Sequence, residues 1–247
     1  MVKQWGRAST VGQMGDHVPE GWPVIERVQL DAAKESTLRA LASAPLERYY
    51  DVRGGYAGAT FASIAPNDPY DVTGADLHAL SMLSVTVGPA ATRRVLDHGE
   101  HRLRLLDALA AVDPGARLED ASAAVLESAW RLHEVAKEAL ADPTTKGQSD
   151  PWVTAAKLVA RKRPRLLPVR DTKVRALLGL GLARDGRLEL QALRYLVTDP
   201  DVTAAMTQAV QRARGQAASE ERECVFDVEP LRVLDAALWL DSMARSA

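Results

Sequence analysis

Alanine and leucine recur in nearly every segment of this chain, whereas aromatic residues make up only 5% of it, and this contrast restricts the fold more than any single motif. Unbranched side chains lose little rotamer freedom in a helix, so the balance favours helices over sheets. With 247 residues and 47% hydrophobic content, the chain is long enough to bury a substantial core. The sequence therefore predicts a mainly α, multi-helix globular fold.

Glycine, proline and polar residues divide the chain into an arm and two helical lobes. Residues 1–24 are rich in these residue types and predict an extended N-terminal arm. Residues 25–141 predict an N-terminal helical lobe, and residues 152–247 predict a C-terminal one. The strongest break lies between them, from Asp142 to Pro151, where the sequence reads D-P-T-T-K-G-Q-S-D-P. Whether the two lobes are separate units or one integrated domain stays open.

Cap residues and apolar spacing predict the individual helices. Thr73 is a suitable N-cap with Asp76 at the third helical position, which predicts a helix that ends at the run beginning with Val85. The segment from Gln216 to Arg222 is polar and predicts a mobile connection. The remaining helices are predicted over residues 28–42, 90–96, 101–111, 118–141, 152–161, 172–182, 189–197, 201–214 and 229–245.

Cysteine and histidine usage predicts neither a metal site nor a cofactor. The single cysteine, Cys224, cannot form an internal disulfide, and the chain has no group of cysteines for zinc or an iron–sulfur cluster. His98 and His101 have no recognisable third ligand. No apolar run suits a signal peptide or a bilayer span, so we expect a cytoplasmic protein without a membrane partner.

The segment from Arg48 to Phe61 predicts a shaped loop, which we call the aromatic loop. It holds four of the chain's seven Tyr and Phe residues, namely Tyr49, Tyr50, Tyr56 and Phe61, next to three glycines. Aromatic side chains at such a turn either form a wall on which an unstacked base can stack or fill the core. We take the four as candidate pocket residues, and the core role is the alternative.

Positive charge is concentrated in residues 157–175, which we call the basic segment. It carries eight bases and one acid, for a local charge of +7, whereas the rest of the chain sums to −9. Such a segment on an acidic chain suits contact with a polyanion such as DNA, and it equally suits pairing with acidic neighbours inside the same protein. The candidate phosphate contacts are Lys157, Arg161, Lys162, Arg163, Lys173 and Arg175.

Asp171 is the single acid of the basic segment, and it precedes the helical sequence T-K-V-R-A-L-L, so its carboxylate is placed to cap a helix. The block formed by Pro168, Asp171, Val174 and Arg175 resembles the block that closes the active site of helix–hairpin–helix DNA glycosylases. In that family the acid caps a helix and also assists loss of the damaged base. The resemblance implies that Asp171 is a catalytic acid, and a helix cap alone is the alternative.

The sequence departs from the glycosylase pattern around the hairpin. The family's hairpin carries closely spaced glycines whose amides hold a DNA phosphate, whereas the matching stretch here is Q-S-D-P-W-V, with only Gly147 nearby. The lysine of strand-cleaving members would fall near Trp152 or Val153, and Lys157 comes about a turn later. The resemblance therefore implies a monofunctional, base-removing hydrolase if the protein is an enzyme.

A second resemblance covers most of residues 48–180. Three blocks are similar to an uncharacterised family of actinobacterial proteins that carries a domain-of-unknown-function name. The blocks are R-Y-Y-D-V with Y-A-G-A-T-F, then T-G-A-D-L-H-A-L-S-M-L-S-V, then T-A-A-K-L-V-A-R-K-R-P-R-L-L-P-V-R-D. The likeness implies that the three blocks meet in space, and it lends no activity.

The sequence leaves three functions open. The first is a DNA-interacting protein related to the glycosylases, with Asp171 at the reacting sugar and the basic segment on phosphates. The second is a non-catalytic helical interaction protein, in which the same bases bind acidic groups of this chain or of a partner. The third is a protein that encloses a small ligand, such as a nucleotide, between the aromatic loop and Asp171.

Overall fold

The computed structural model describes residues 18–56, 58–142, 150–181 and 185–245. Within these ranges the backbone forms eleven helices and one isolated antiparallel bridge, which confirms the prediction of a mainly α, multi-helix fold. The helices are α1 (Arg27–Ser43), α2 (Leu46–Tyr49), α3 (Gly74–Ser81), α4 (Pro89–Leu96), α5 (Glu100–Ala110), α6 (Ala123–Leu140), α7 (Trp152–Lys162), α8 (Thr172–Leu177), α9 (Gly186–Thr198), α10 (Pro200–Ser219) and α11 (Pro230–Ala244).

Local capping explains where two of the helices begin. Thr73 and Asp76 form the predicted capping box of α3, and the Thr73 amide donates to Asp76 Oδ2 at 2.7 Å. The prediction that α6 begins at Leu118 is wrong, because Ser122 caps the helix and its Oγ accepts a hydrogen bond from the Val125 amide at 3.3 Å. The helix therefore starts later than its apolar pattern indicates.

A glycine shortens α8 relative to its predicted end at residue 182. The helix stops at Leu177 because Gly179 has a φ of +75°, a left-handed conformation that favours glycine. The Leu180 amide then donates to the Arg175 carbonyl at 2.8 Å, so that a helix-end carbonyl still has a donor. This turn leaves α8 as a short helix whose first residue follows Asp171.

The opposite correction applies to α10, which was predicted to end at Arg214 but continues to Ser219. Its buried face includes Ala213 and Ala217, spaced one turn apart, so core packing extends the helix past the polar side chains. The predicted mobile connection from Gln216 is therefore wrong for its first four residues. The polar side chains after Arg214 indicate a helix end, whereas the small residues Ala213 and Ala217 pack against the core and continue the helix.

One hydrophobic core joins the two predicted lobes. In the described residues, α1 packs against α9, α10 and α11, and α6 packs against α7 across the proline-rich break. The described end of the N-terminal arm is anchored to this core, since Trp22 is buried and its Nε1 donates to Glu127 Oε2 at 2.7 Å. Residues 1–17 of the arm lie outside the described residues. Whether the two lobes are separate units or one integrated domain stays a prediction.

The expectations about a membrane span and a metal site can be compared with the described residues. None of the helices there combines the length and the apolar character that a bilayer span requires. Nor do three His, Cys, Asp or Glu side chains group there in a way that could hold a metal ion. Cys224 instead donates its thiol to the Glu47 carbonyl at 3.2 Å, and burial raises the pKa of that thiol.

Candidate functional site

A cavity of about 550 Å³ lies between the aromatic loop, the end of α3, α7, the start of α8 and α11, and we call it the pocket. It brings together the three sequence blocks that were expected to meet in space. Five of the predicted site residues line the pocket. These five are Tyr49, Tyr56, Phe61, Lys157 and Asp171.

Three aromatic rings form one wall of the pocket, and we call Tyr49, Tyr56 and Trp239 the aromatic corner. The centroids of Tyr49 and Tyr56 are 5.9 Å apart, those of Tyr49 and Trp239 are 6.1 Å apart, and those of Tyr56 and Trp239 are 5.7 Å apart. Tyr56 and Trp239 meet at an interplanar angle of 90°. Burial raises the pKa of Tyr49, so its phenol is neutral at physiological pH. The corner therefore places three aromatic rings at the wall of the cavity.

Tyr50 was predicted with this group, but it lies behind the wall as a core residue. Its side chain is fully buried, and its ring contacts Tyr49 at a centroid distance of 5.1 Å and Phe226 at 5.0 Å. Tyr50 does not appear among the residues that line the pocket. Its contacts fit the core role that the sequence left open, and it supports Tyr49 from the inside.

Unusual backbone conformations occur on two segments at the pocket. Thr60 has a φ of +62°, and Ser84, which lines the pocket, has a φ of +59°. Residues other than glycine adopt this left-handed conformation at a cost of about 1–3 kcal/mol, and such strained residues are concentrated at functional sites. Gly58 allows the two segments to approach closely, because a Cβ there would lie 2.8 Å from Leu83 Cδ2. The chain thus accepts local strain where it shapes the pocket.

Asp171 both caps α8 and lines the pocket. Its Oδ1 accepts a hydrogen bond from the Lys173 amide at 2.8 Å, which confirms the predicted capping role. Lys157 also lines the pocket, and its Nζ donates to the Leu83 carbonyl at 2.7 Å. Burial lowers the pKa of Lys157, and the charge of Asp171 opposes that shift. A catalytic role for Asp171 stays a prediction.

A second group of charged side chains lines the pocket from α11 and the segment before it, namely Asp227, Arg232 and Asp235. None of the three is among the residues predicted from the sequence. Arg232 Nη2 lies 2.8 Å from Asp235 Oδ2 and donates to the Leu167 carbonyl at 2.7 Å. Asp235 Oδ2 also accepts the Val169 amide at 3.0 Å. Burial, opposed by Arg232, raises the pKa of Asp235 to about 7. Burial likewise raises the pKa of Asp227, again opposed by Arg232.

A signal for this second group exists in the sequence. Arg232 and Asp235 are spaced three residues apart inside the apolar run L-R-V-L-D-A-A-L-W-L, where side chains are expected to be buried. Charged residues are almost never fully buried unless they are paired, so an opposite-charge pair in such a run is informative. The sequence predicts this stretch only as a helix, so neither Asp235 nor Trp239 is among the predicted site residues.

Six of the eight bases of the basic segment are buried in the protein, and only Arg165 and Lys173 are not. Arg161 is fully buried, its Nε lies 2.8 Å from Asp76 Oδ1, and it also donates to the carbonyls of Phe61, Ile64 and Pro66. Lys162 Nζ lies 2.7 Å from the same Asp76 oxygen. These bonds fasten the end of the aromatic loop to α7. The basic segment thus positions one side of the pocket.

Arg163 and Arg170 continue this pattern. Arg163 is fully buried and donates to the carbonyls of Val112 at 2.9 Å and Pro69 at 2.8 Å. Arg170 Nε lies 2.8 Å from Glu189 Oε2, and its guanidinium lies 4.9 Å from the Trp152 ring centroid. Backbone carbonyls and one buried carboxylate thus balance the positive charge. Arg175 is a second cation at Glu189, with 3.4 Å between the paired atoms.

Burial gives no support to the predicted phosphate contacts. Five of the six side chains are at most 6% exposed, and a phosphate cannot reach a cation that the protein covers. These five are Lys157, Arg161, Lys162, Arg163 and Arg175. Lys173, the sixth, is exposed. Gly147, Gln148 and Ser149 of the stretch compared with the glycosylase hairpin lie outside the described residues. Contact with DNA stays a prediction.

The family match covers the whole pocket. Residues 42–242 match the model of a family of unknown function, DUF6308. Searches of curated proteins and of solved structures returned no match to the chain. The lining of the pocket extends from Tyr49 to Trp239, so the pocket is built entirely from the part of the chain that the family model describes.

Proposed function

The chain belongs to the DUF6308 family, whose function is unknown, and we propose from its site that the protein binds a small ligand with a planar ring of nucleobase size. The observation that carries this proposal is the pocket, in which the aromatic corner and Asp171 line one cavity. It supports the third function that the sequence left open, a small ligand enclosed between the aromatic loop and Asp171.

The size and chemistry of the pocket support this proposal. Ligand sites in proteins have volumes of about 300–1,000 Å³ and combine apolar or aromatic walls with a few convergent polar groups. The cavity of about 550 Å³ lies in that range, and its polar groups include Lys157, Asp171 and Asp235. A carboxyl with a raised pKa in a cavity is itself an indicator of a functional site. Ring faces and hydrogen-bonding groups are thus available to one ligand.

Calorimetric titration with adenosine, guanosine, cytidine and uridine tests the proposal. Tyr56 is 39% exposed, so Tyr56→Ala should leave the fold intact while it removes one face of the aromatic corner. We expect the variant to weaken binding by about tenfold, since stacking a base on an aromatic side chain is worth about 1–3 kcal/mol. Tyr70→Ala is the matched control, because Tyr70 is 56% exposed and does not line the pocket.

Three outcomes of this titration are informative. Binding that Tyr56→Ala weakens and Tyr70→Ala does not supports a ring-binding pocket. Equal binding by both variants contradicts it, since the ligand would then be held elsewhere on the protein. If no nucleoside binds, the second alternative from the sequence gains support, in which the protein is a non-catalytic helical interaction protein and the bases serve internal contacts.

Base removal from DNA is the second candidate function. It is favoured by the double position of Asp171, which caps α8 and also lines the aromatic pocket, as the resemblance to glycosylases implies for the catalytic acid. In this proposal DNA delivers an unstacked base to the aromatic corner. Asp171→Asn separates the two roles, because asparagine also caps helices well. An enzyme would be supported if the wild type releases a damaged base and Asp171→Asn does not, while the variant keeps the melting temperature of the wild type.

A further inference from the structure

We propose that the pocket selects a ligand whose ring carries a positive charge, with Asp227 as the side chain that attracts that charge. This inference rests on the proposed function and narrows it from planar rings in general to organic ring cations. Two independent properties of the pocket carry it, the aromatic corner and the balance of charged side chains around the cavity.

The aromatic corner favours a cation over a neutral ring. The face of a tyrosine or tryptophan ring carries negative potential, and a cation within about 6 Å of the ring centroid is attracted by it. Tyr49, Tyr56 and Trp239 meet one another at tilted or perpendicular angles and all line the same cavity. A flat cationic ring that stacks on one of these faces lies beside the other two. The attraction therefore adds to ordinary ring stacking.

The charged lining has a net charge of −1 when all of its groups are ionised, and because the pKa of Asp235 is about 7, that net charge is reached in full only above neutral pH. Three carboxylates, those of Asp171, Asp227 and Asp235, line the pocket with two cations, Lys157 and Arg232. The ammonium of Lys157 already donates to a backbone carbonyl and stands in the electrostatic field of Asp171. A ligand with a positive charge would complete the balance, whereas an anionic ligand would make the repulsion with the carboxylates worse.

Asp227 and Asp171 both lack a close cation, but Asp171 already accepts the Lys173 amide as the cap of α8, which leaves Asp227 as the carboxylate for a cationic ligand. Arg232 forms its ion pair with Asp235, and no lysine, arginine or histidine of the described residues lies within 4.0 Å of the Asp227 carboxylate. Its side chain is half-buried; burial raises its pKa, and Arg232 and the Tyr50 hydroxyl partly oppose that shift. A half-buried carboxylate gains more from a new cationic partner than an exposed one does, because water screens their attraction less.

A pair of isosteric ligands tests the inference on the unmodified protein. 1-Methylnicotinamide is a cationic ring, and 3-methylbenzamide has the same shape without the charge. We expect calorimetry to show the cation binding about fivefold or more tightly, since a cation on a desolvated aromatic face gains about 1–2 kcal/mol. Asp227→Asn should remove most of this preference. Glu20→Gln is the control for loss of one negative charge, because Glu20 is exposed and lies outside the pocket.

The outcomes separate this inference from the proposed function. Equal affinity for the two isosteres, or no binding of the cation, overturns the cation inference. If the nucleosides still bind in a way that needs Tyr56, the planar-ring function survives that failure; if they do not bind either, both proposals fall. A preference for the cation that persists in Asp227→Asn, in a variant that keeps its melting temperature, overturns the role assigned to Asp227. A preference that only Asp227→Asn removes supports the whole inference.

Discussion

Arg161 and Asp76 form an ion pair with no solvent-exposed side-chain surface: Arg161 Nε lies 2.8 Å from Asp76 Oδ1, and both side chains are 0% exposed. The pair joins α7 to the first turn of α3. The same guanidinium holds three carbonyls of the segment that follows Gly58. Charge that looks like a nucleic-acid surface in the sequence is thus part of the framework that shapes the pocket.

Loss of this ion pair should destabilise the protein strongly. We expect Arg161→Met to lower the free energy of unfolding by about 3–5 kcal/mol, because Asp76 and several carbonyls would lose a buried partner. Arg165→Met is the control from the same segment, since Arg165 is 42% exposed and pairs with Glu229 at the surface, where a pair is worth about 0–1 kcal/mol. Urea unfolding measures both, and equal losses would contradict the account.

Two glycine-to-alanine changes in helices should act in opposite directions. A Cβ at Gly186 would overlap the guanidinium of Arg170, which is held by Glu189 and by the Trp152 ring and cannot move freely. We expect Gly186→Ala to cost about 1–3 kcal/mol, as overpacking does. Gly215 in α10 has no atom within 4 Å of the added Cβ, so Gly215→Ala should stabilise by up to about 1 kcal/mol. Destabilisation by both changes in urea unfolding would contradict this description.

Asp235 should make stability depend on pH. Its folded pKa of about 7 lies above the unfolded value, so the folded state binds more protons and its contribution to stability falls as pH rises from about 4 to about 7. The groups that act on it are Arg232, the Val169 amide, Glu189 and Asp227. Asp235→Asn has no carboxyl to ionise at this position, so the variant should not show this decline in stability with rising pH.

The measurement is urea unfolding of the wild type and of Asp235→Asn across that pH range. The stability of the wild type relative to the variant should decline as pH rises and level off above about pH 7. Glu20→Gln, which removes an exposed carboxylate, serves as the control. A relative stability of Asp235→Asn that stays constant with pH would contradict a raised pKa for Asp235, because it would mean that folding does not change the protonation of this carboxyl.

Local signals allowed most of the helices to be predicted. Thr73 with Asp76, and Asp171 before a helical run, identify helix starts because a cap acts on the amides next to it. The family resemblance implied that three blocks of sequence meet in space, and the structure brings Tyr49, Tyr56 and Asp171 from these blocks to the pocket. The four-residue helix α2 was missed, since so short a run carries no periodicity.

The interior position of the basic segment could not be predicted from charge. The partners of Arg161 and Arg163 are mostly backbone carbonyls of distant loops, and every residue type has a carbonyl, so no sequence pattern marks them. Asp227 and Trp239 lie far from the aromatic loop in the sequence. The packing of α11 against α1 and α2 brings this part of the chain to the loop. Long-range contacts of this kind decide the site.

The central claim, that the aromatic corner holds a ring ligand, is tested most directly at Trp239. The indole N–H signal of Trp239, assigned by its loss in Trp239→Phe, should shift in a two-dimensional nitrogen–proton NMR spectrum when a nucleoside or 1-methylnicotinamide is added. The signals of Trp22 and Trp130, which pack against each other outside the pocket, should stay in place. Shifts at Trp22 or Trp130 without one at Trp239, or no shift while calorimetry reports binding, would contradict the account.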